Sequence, residues 1–281
     1  MDFHTVVSLA NLALYLLGCS STSAYLVAVL RKTAWRSKPE LIVIVSLGLT
    51  DLLGSSAYLQ GSVFSLLRTD LSQFVSYIIG SVGNIAWAAG SLHLIVLALN
   101  RFIAVIIPLQ YDLLFTVTFA RRSSVICWLA ALTLFAGNVT LCCPIVYVWQ
   151  KVACLFTFSA DALFASWFLL NIFLNFIAIG IPLFSYGVIT VKLAYMRLQG
   201  GNYGSTDVSL CGQFFIIIFV YFLNALSWIV LPGEQWWYVR SLSTAFYFTI
   251  NGYVYMLFNK IIKQALKQCF LKAETQVQPF S

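Results

Sequence analysis

The chain has 281 residues, 61% of them hydrophobic and only 9% charged, with a mean hydropathy of +0.90 and a formal net charge of +7. Soluble domains carry about 25% charged residues, so the polar surface that a water-soluble globule needs is missing. An all-α integral membrane protein is implied, because backbone polar groups in lipid must be satisfied within their own segment. The positive charge does not mark a nucleic-acid binder, since the basic residues are spread between apolar runs.

A helix needs about 20 mostly apolar residues to cross roughly 30 Å of hydrocarbon. Seven runs qualify: 7–30, 41–65, 73–106, 123–147, 162–193, 210–231 and 240–258. The first has no basic start and ends in Arg31-Lys32, so it is expected to stay as a signal anchor. Pro39 and Pro108 punctuate connections, and Gly-Gly-Asn-Tyr-Gly-Ser at 200–205 is rich in turn formers. Residues 259–270 place apolar side chains at 261, 262, 265, 266 and 270, with Lys260, Lys263 and Lys267 off that face. That pattern predicts a short basic helix lying on the membrane, with Cys269 open to palmitoylation. No internal repeat is visible, and residues 1–281 are expected to form one seven-helix unit.

Basic residues set the orientation. Thirteen of the sixteen lie on one side of the predicted spans, in 31–38, at Arg101, Arg121 and Arg122, at Lys192 and Arg197, and in the tail from Lys260 to Lys272. Arg68, Lys151 and Arg240 fall on the other side, and residues 1–30 contain none. The basic side is therefore expected to be cytoplasmic, with the N-terminus outside and the C-terminus inside.

Arg101 sits near the end of a long apolar run, where a charge costs roughly 2.5–3.5 kcal/mol on insertion scales. It belongs to the block Leu99-Asn100-Arg101-Phe102, Ala104, Pro108-Leu109-x-Tyr111 and Phe115. Weaker signals follow in order: Leu47-x-x-x-Asp51-Leu52, Trp128, Pro182 and Asn251-Gly252-Tyr253-Val254-Tyr255. Together these residues resemble a rhodopsin-type G-protein-coupled receptor, and most closely the nematode chemosensory serpentine receptors of class x. The resemblance implies that Asn100, Arg101, Phe102, Pro108, Tyr111, Asn251 and Tyr255 form the switch and coupling surface toward a heterotrimeric G protein. It also implies that Asp51 and Asn251 form a polar core. The plainer alternative for Arg101 is a side chain snorkelling from a helix end.

Several positions depart from the family pattern. Asn100 replaces the usual acid, so the lock on the resting state is expected to be weaker or placed elsewhere. Around Asp51 the aligned neighbours Gly90, Tyr247 and Phe248 make a sodium site doubtful, and a protonated or water-bridged contact with Asn251 is an equal alternative. Ser23 stands for an asparagine, Asn251-Gly252 lacks the family proline, and the sixth span has Pro232 only at its outer end. The family's disulfide from the third span is not available, because the aligned residue is Ser76. Cys154 is then expected either to pair with Cys142 or Cys143, or to leave three free thiols.

The ligand pocket implied at the outer end takes Asn84, Trp87, Asn171, Asn175, Trp228 and Tyr247. Each alone reads equally as interhelical glue; as a group they fit a small apolar pocket with few polar groups. The outer halves of spans three, five, six and seven hold no carboxylate, so a neutral or apolar ligand is expected over a cationic one. His93 reads as a core residue, and the Asn138-Val139-Thr140 sequon falls inside the predicted fourth span. No nucleophile–base set, metal cluster or cofactor motif is seen, and no lysine for a retinal Schiff base lies in 241–258. The expected function is a chemosensory receptor in a plasma or sensory-cilium membrane. The alternatives are a seven-helix small-molecule transporter or channel, or a receptor-like chain without signalling. Tags placed at both ends test the orientation in intact cells: the N-terminal tag is expected to bind antibody and the C-terminal tag only after permeabilisation. A surface-exposed C-terminal tag would reverse it.

Overall fold

The structure, a computed structural model, describes residues 1–137, 145–156, 162–199, 205–231 and 234–276, with side chains undescribed for Ala34, Phe156, 162–172, 205–211, Glu234 and 270–276. The candidates Cys142 and Cys143, the sequon 138–140 and most of the turn-rich 200–205 segment lie outside the described residues, as does the side chain of Asn171.

Helix α1 (Phe3–Leu30) starts where the Asp2 carboxylate accepts the Thr5 backbone N–H at 3.0 Å. Helix α2 (Pro39–Leu67) has proline in its first turn, a position whose missing N–H costs nothing, and an acid, Glu40, beside it. Helix α3 (Gln73–Ile106) is capped by Ser72 and stops just before Pro108. A 3-10 turn over 108–110 and the short helix α4 (Tyr111–Leu114) lead into α5 (Val117–Gly137). Then come strands β1 (Ile145–Val148) and β2 (Ala153–Phe156), and helices α6 (Ala162–Leu198), α7 (Ser205–Val230), α8 (Trp237–Phe258) and α9 (Lys260–Gln276).

Six helices among the described residues are long and apolar enough to cross a membrane: α1, α2, α3, α5 and the described parts of α6 and α7. The seventh, α8, is more polar because its buried face carries Arg240, Ser241, Thr244, Thr249 and Asn251. These groups are spent inside the bundle. Ser243 and Thr244 hydroxyls donate to Asn224 Oδ1 on α7 at 2.9 and 3.1 Å, and Thr249 donates to the Leu14 carbonyl on α1 at 2.8 Å. Helix α8 thus packs between α1 and α7, while α3 runs centrally against α2, α5 and α6. Asn259 ends α8 and its Oδ1 accepts the Ile261 and Ile262 N–H groups, turning the chain sharply into α9. On α9, Ile262 and Ala265 are buried and Lys260, Lys263 and Lys267 are exposed, the face expected for a membrane-surface helix.

Helix α5 begins ahead of the predicted fourth span, 123–147, and the last residues of that span, 145–147, take a different form. Helix α5 starts at Val117 because Thr116 Oγ1 accepts the Phe119 N–H at 3.1 Å, and exposed Arg121 and Arg122 ride on its first turns. At the other end, residues 145–147 are not helical. Ile145-Val-Tyr-Val alternates buried and half-buried, and pairs antiparallel with β2 in the register Ile145↔Phe156 and Tyr147↔Cys154.

This hairpin sits across the outer end of the bundle. Ser76 on α3 donates to the Tyr147 carbonyl. The Tyr147 hydroxyl meets Ser65 Oγ at 2.9 Å, and Ser65 donates in turn to the Trp149 carbonyl at 2.9 Å. Trp149 Nε1 reaches Asp70, and Ser241 on α8 donates to the Val152 carbonyl. Gly80 lets β1 lie directly on α3: a Cβ there would stand 2.2 Å from the Ile145 carbonyl oxygen. The disulfide candidate Cys154 carries a free thiol, facing the tyrosine-lined interior beside Tyr58. Of the two expectations for Cys154, a bond to Cys142 or Cys143 and three free thiols, the second matches its free thiol, and the tie between α3 and the hairpin is made by Ser76 and close backbone contact.

Two predictions follow from the hairpin. Gly80→Ala pushes a methyl into backbone that cannot swing aside, so a loss of roughly 1–3 kcal/mol is expected, read as a lower melting temperature of the detergent-solubilised protein. Burial pushes the Cys154 thiol up to about 12, leaving a thiolate fraction of about 10⁻⁴ at pH 8. Cys154 is expected to resist maleimide at that pH until denaturant is added, as mapped by peptide mass spectrometry.

Candidate functional site at the inner mouth of the bundle

Arg101 lies about 10 Å along α3 from Pro108 and is 8% exposed. Its Nη2 donates to Glu40 Oε2 at 2.7 Å, and its guanidinium stands over the Phe214 ring of α7, 5.1 Å from the centroid. A hydrogen bond to a charged partner is worth about 1.5–3 kcal/mol net. Stripping the partner from a buried charge costs more, about 3–5 kcal/mol. Glu40 is held for this task by its place in the first turn of α2, where the helix N-terminus favours a carboxylate.

The neighbouring Asn100 is fully buried and donates to the Tyr111 hydroxyl at 2.9 Å. Burial raises the Tyr111 phenol above its usual range, so it stays neutral as an acceptor. The Asn100–Tyr111 bond joins α4 to α3, and Tyr111 stacks on Phe115 one turn further along, with ring centroids 6.1 Å apart. Lys192 on α6 donates to the Val105 and Ile106 carbonyls at 2.7 and 3.1 Å. A cation there satisfies carbonyls that the helix end leaves unpaired. The inner end of α3 is thus tied to α2, α4 and α6 by three separate polar contacts. Outside them, Leu109 is 97% and Leu113 79% exposed.

The predicted switch residues are only partly gathered here. Asn100, Arg101 and Tyr111 share this mouth. Tyr255 joins them edge-on through Phe214, at 6.3 Å between centroids. Phe102 is half-buried against the core, and Pro108 opens the 3-10 turn. Asn251 sits deeper, where its Nδ2 donates to both oxygens of Asp51 at 3.0 and 3.1 Å. Both residues are fully buried. Helix α8 runs unbroken through Gly252.

The residues around Asp51 do not fit a sodium ion. The Tyr247 hydroxyl fills the space over Gly90: a Cβ at 90 would lie 3.0 Å from it and 3.3 Å from Thr50 Oγ1. Ser91, the remaining hydroxyl on α3, is turned away, donating to the Trp87 carbonyl and accepting from Tyr221.

At the outer end the six pocket candidates do not form one cavity among the described residues. Trp87 reaches Tyr247 only through Tyr221, with centroid separations of 6.1 and 5.5 Å. Asn84 and Asn175 are half-buried on α3 and α6. Trp228 donates to Thr244 at 3.2 Å and borders a crevice with Tyr15, Tyr58, Cys154, Ser241 and Thr244 that is too narrow for a water molecule. The hairpin closes it. Sequence reasoning missed two charged residues, Glu40 and Arg240. Arg240 is buried with its guanidinium over Trp228, 5.1 Å from the centroid. The only early trace of it was a basic residue on the otherwise basic-poor outer side. Among the described residues no group of His, Cys, Asp and Glu is arranged to hold a metal.

Comparison with known proteins agrees with this architecture. Over 98% of its length the chain superposes on 87% of squid rhodopsin, with a TM-score of 0.78 at 15% identity, a likeness of fold. In sequence it is 24% identical over 208 residues to the human olfactory receptor 6S1. That alignment takes in 66% of this chain and spans 60% of the length of the relative. The family model for the serpentine type 7TM GPCR chemoreceptor Srx matches residues 56–259. That stretch contains the Arg101 block and the Asn251–Tyr255 segment and leaves Glu40 and Asp51 outside. With well over half of its residues matched, the chain belongs to the Srx family of serpentine seven-transmembrane chemoreceptors.

Proposed function

We propose that this protein is a chemosensory receptor that binds a small neutral or apolar molecule at its outer end and activates a heterotrimeric G protein at its inner end. The observation that carries the proposal is Arg101: a nearly buried cation near the inner end of α3, the helix that leads into the 3-10 turn carrying the fully exposed apolar side chain of Leu109. A soluble partner has an apolar knob to grip at the same end of the bundle as a guanidinium it can recruit. The exposed Leu113 extends that surface. The same reading puts the N-terminus outside, the C-terminus in the cytoplasm, and α9 with Cys269 on the inner leaflet of a plasma or sensory-cilium membrane.

On the outer side, the serine and threonine hydroxyls that border the crevice are already engaged. Ser241 donates to Val152 and Thr244 to the Arg240 carbonyl at 2.9 Å. What remains for a ligand is apolar and aromatic, in keeping with a neutral odorant-like molecule. Trp228 and Tyr247, with Trp87, Asn84, Asn171 and Asn175, are the residues proposed to set selectivity. The hairpin must lift before any ligand enters, so its hydrogen bonds to Ser65, Ser76 and Ser241 belong to the recognition event.

Arg101→Ala tests the inner half of this proposal. Nucleotide exchange on an added heterotrimer is expected to fall to background, while surface expression stays near wild type, because Glu40 keeps access to water. Loss of surface expression would instead make Arg101 a folding residue.

A further inference from the structure

We infer that the first turn of α1 is a clasp on the outer hairpin and that His4 makes the clasp acid-sensitive, so that protonating His4 holds the hairpin shut and opposes ligand entry. The inference rests on the reading that the hairpin lifts before a ligand enters, and adds a regulator of that step. Trp149, in the turn between β1 and β2, is the node. Its carbonyl accepts from Ser65 at 2.9 Å and from the His4 Nε2 at 3.2 Å, and its indole Nε1 donates to Asp70 at 2.7 Å. The His4 ring also stands beside two indoles, its centroid 5.8 Å from that of Trp149 and 5.8 Å from that of Trp237 at the start of α8. One half-buried side chain of α1 thus touches the hairpin and α8 together.

The hairpin turn needs holding. Val152 has φ 46°, a left-handed conformation that a β-branched residue rarely adopts and that persists only where the surroundings impose it. Here Ser241 binds its carbonyl, while His4, Ser65 and Asp70 bind Trp149. Released from these contacts the turn is free to relax, so they set how often the hairpin lifts. Imidazole is the side chain whose charge changes between about pH 5 and 8. The neutral His4 ring donates its Nε2–H to the Trp149 carbonyl. A proton added at Nδ1 leaves that bond in place and makes it charge-assisted, roughly twice as strong. The cation then stands within about 6 Å of two indole rings, the range of cation–π attraction. Both gains exist only while the hairpin is down. The closed form is therefore favoured in acid, and loses that advantage as the pH rises and the ring gives up its proton.

The charged groups on the elements that meet His4 are Asp2 on its own helix, Arg68 at the end of α2, Asp70 beyond it and Lys151 on the hairpin turn. On the α8 side, Glu234 precedes Trp237 by three residues, and Arg240 lies one turn further along, over Trp228. Asp2 is engaged with Arg68, and bonds from Thr5 and Arg68 hold its carboxyl well below the usual carboxylate range. This pair keeps its charges in mild acid. It fixes the first turn of α1 to the end of α2 while His4 changes state.

The test uses the whole chain in lipid nanodiscs, without ligand or G protein, at about pH 7.5 and about pH 5.5, either side of the ordinary imidazole range. Wild type is compared with His4→Gln, which keeps a donor but does not titrate, with His4→Arg, which is charged at both pH values, and with Asp70→Asn, which removes the carboxylate and keeps an acceptor. Amide hydrogen exchange reads the lifting of 145–156. Hydroxyl-radical oxidation of Cys154 and Trp228 reads the entry of water into the crevice. Each rate is divided by that of His4→Gln at the same pH, which cancels the pH dependence of the chemistry itself. In acid the wild-type ratio for the hairpin is expected to fall about five-fold, the change from a neutral to a charged hydrogen bond, and oxidation of Cys154 and Trp228 is expected to fall with it. Asp70→Asn should keep the acid effect, and His4→Arg should exchange slowly at both pH values. A wild-type ratio that does not change with pH would overturn the inference. So would an acid effect that disappears in Asp70→Asn. Slower hairpin exchange in acid with unchanged oxidation of Cys154 and Trp228 would uphold the clasp and remove the hairpin as the gate to the crevice.

Discussion

A charge in a medium of low polarity must find a partner, and the arrangement at the inner end of this receptor depends on that requirement. Arg101 enters the bundle on the longest apolar run in the chain, and everything near it is arranged to make the guanidinium tolerable. Glu40 supplies charge, Phe214 supplies the face of a ring, and the first turn of α2 holds the acid in place. Asn100 and Lys192 then secure the surrounding backbone and side chains without competing for the arginine. The same accounting applies at mid-depth, where Asp51 receives both of its hydrogen bonds from Asn251 and the Tyr247 phenol fills the adjoining space.

Much of this was legible in the sequence, because membrane helices write their length and polarity in long runs. The seventh span could be recognised although α8 is the most polar of the set, since its ends are marked and its polar residues recur on one face. The block from Leu99 to Phe115 identified the inner mouth, and its missing acid announced that any lock lay elsewhere. The location of that lock was not legible. Glu40 is a single acid between Pro39 and Leu41, and only the packing of α2 on α3 brings it to Arg101. Arg240 was hidden in the same way, as a topological marker whose burial against Trp228 depends on the tilt of α7 and α8.

The fourth span shows the opposite failure. Ile145-Val-Tyr-Val continues the hydrophobicity of α5, and a short apolar run does not distinguish strand from helix. What decides it is tertiary: Ser65, Ser76 and Ser241 offer side-chain hydroxyls to the hairpin carbonyls, and Gly80 offers a surface without a side chain. None of the four residues is remarkable in its own helix. The pocket candidates suffered similarly, since helix rotation and the hairpin decide which aromatic side chains meet. Trp228 borders the crevice while Trp87 is screened from it by Tyr221.

The hairpin that closes the outer mouth is joined to α3 by hydrogen bonds and contact, and Cys154 keeps its thiol. A covalent staple fixes a lid once, during oxidative maturation, and survives until a reductant arrives. Hydrogen bonds re-form on every closure and are indifferent to the redox poise outside the cell. The junction between α3 and its lid is therefore a reversible latch. Its bonds can part and re-form, and the ambient thiol–disulfide balance has no purchase on it.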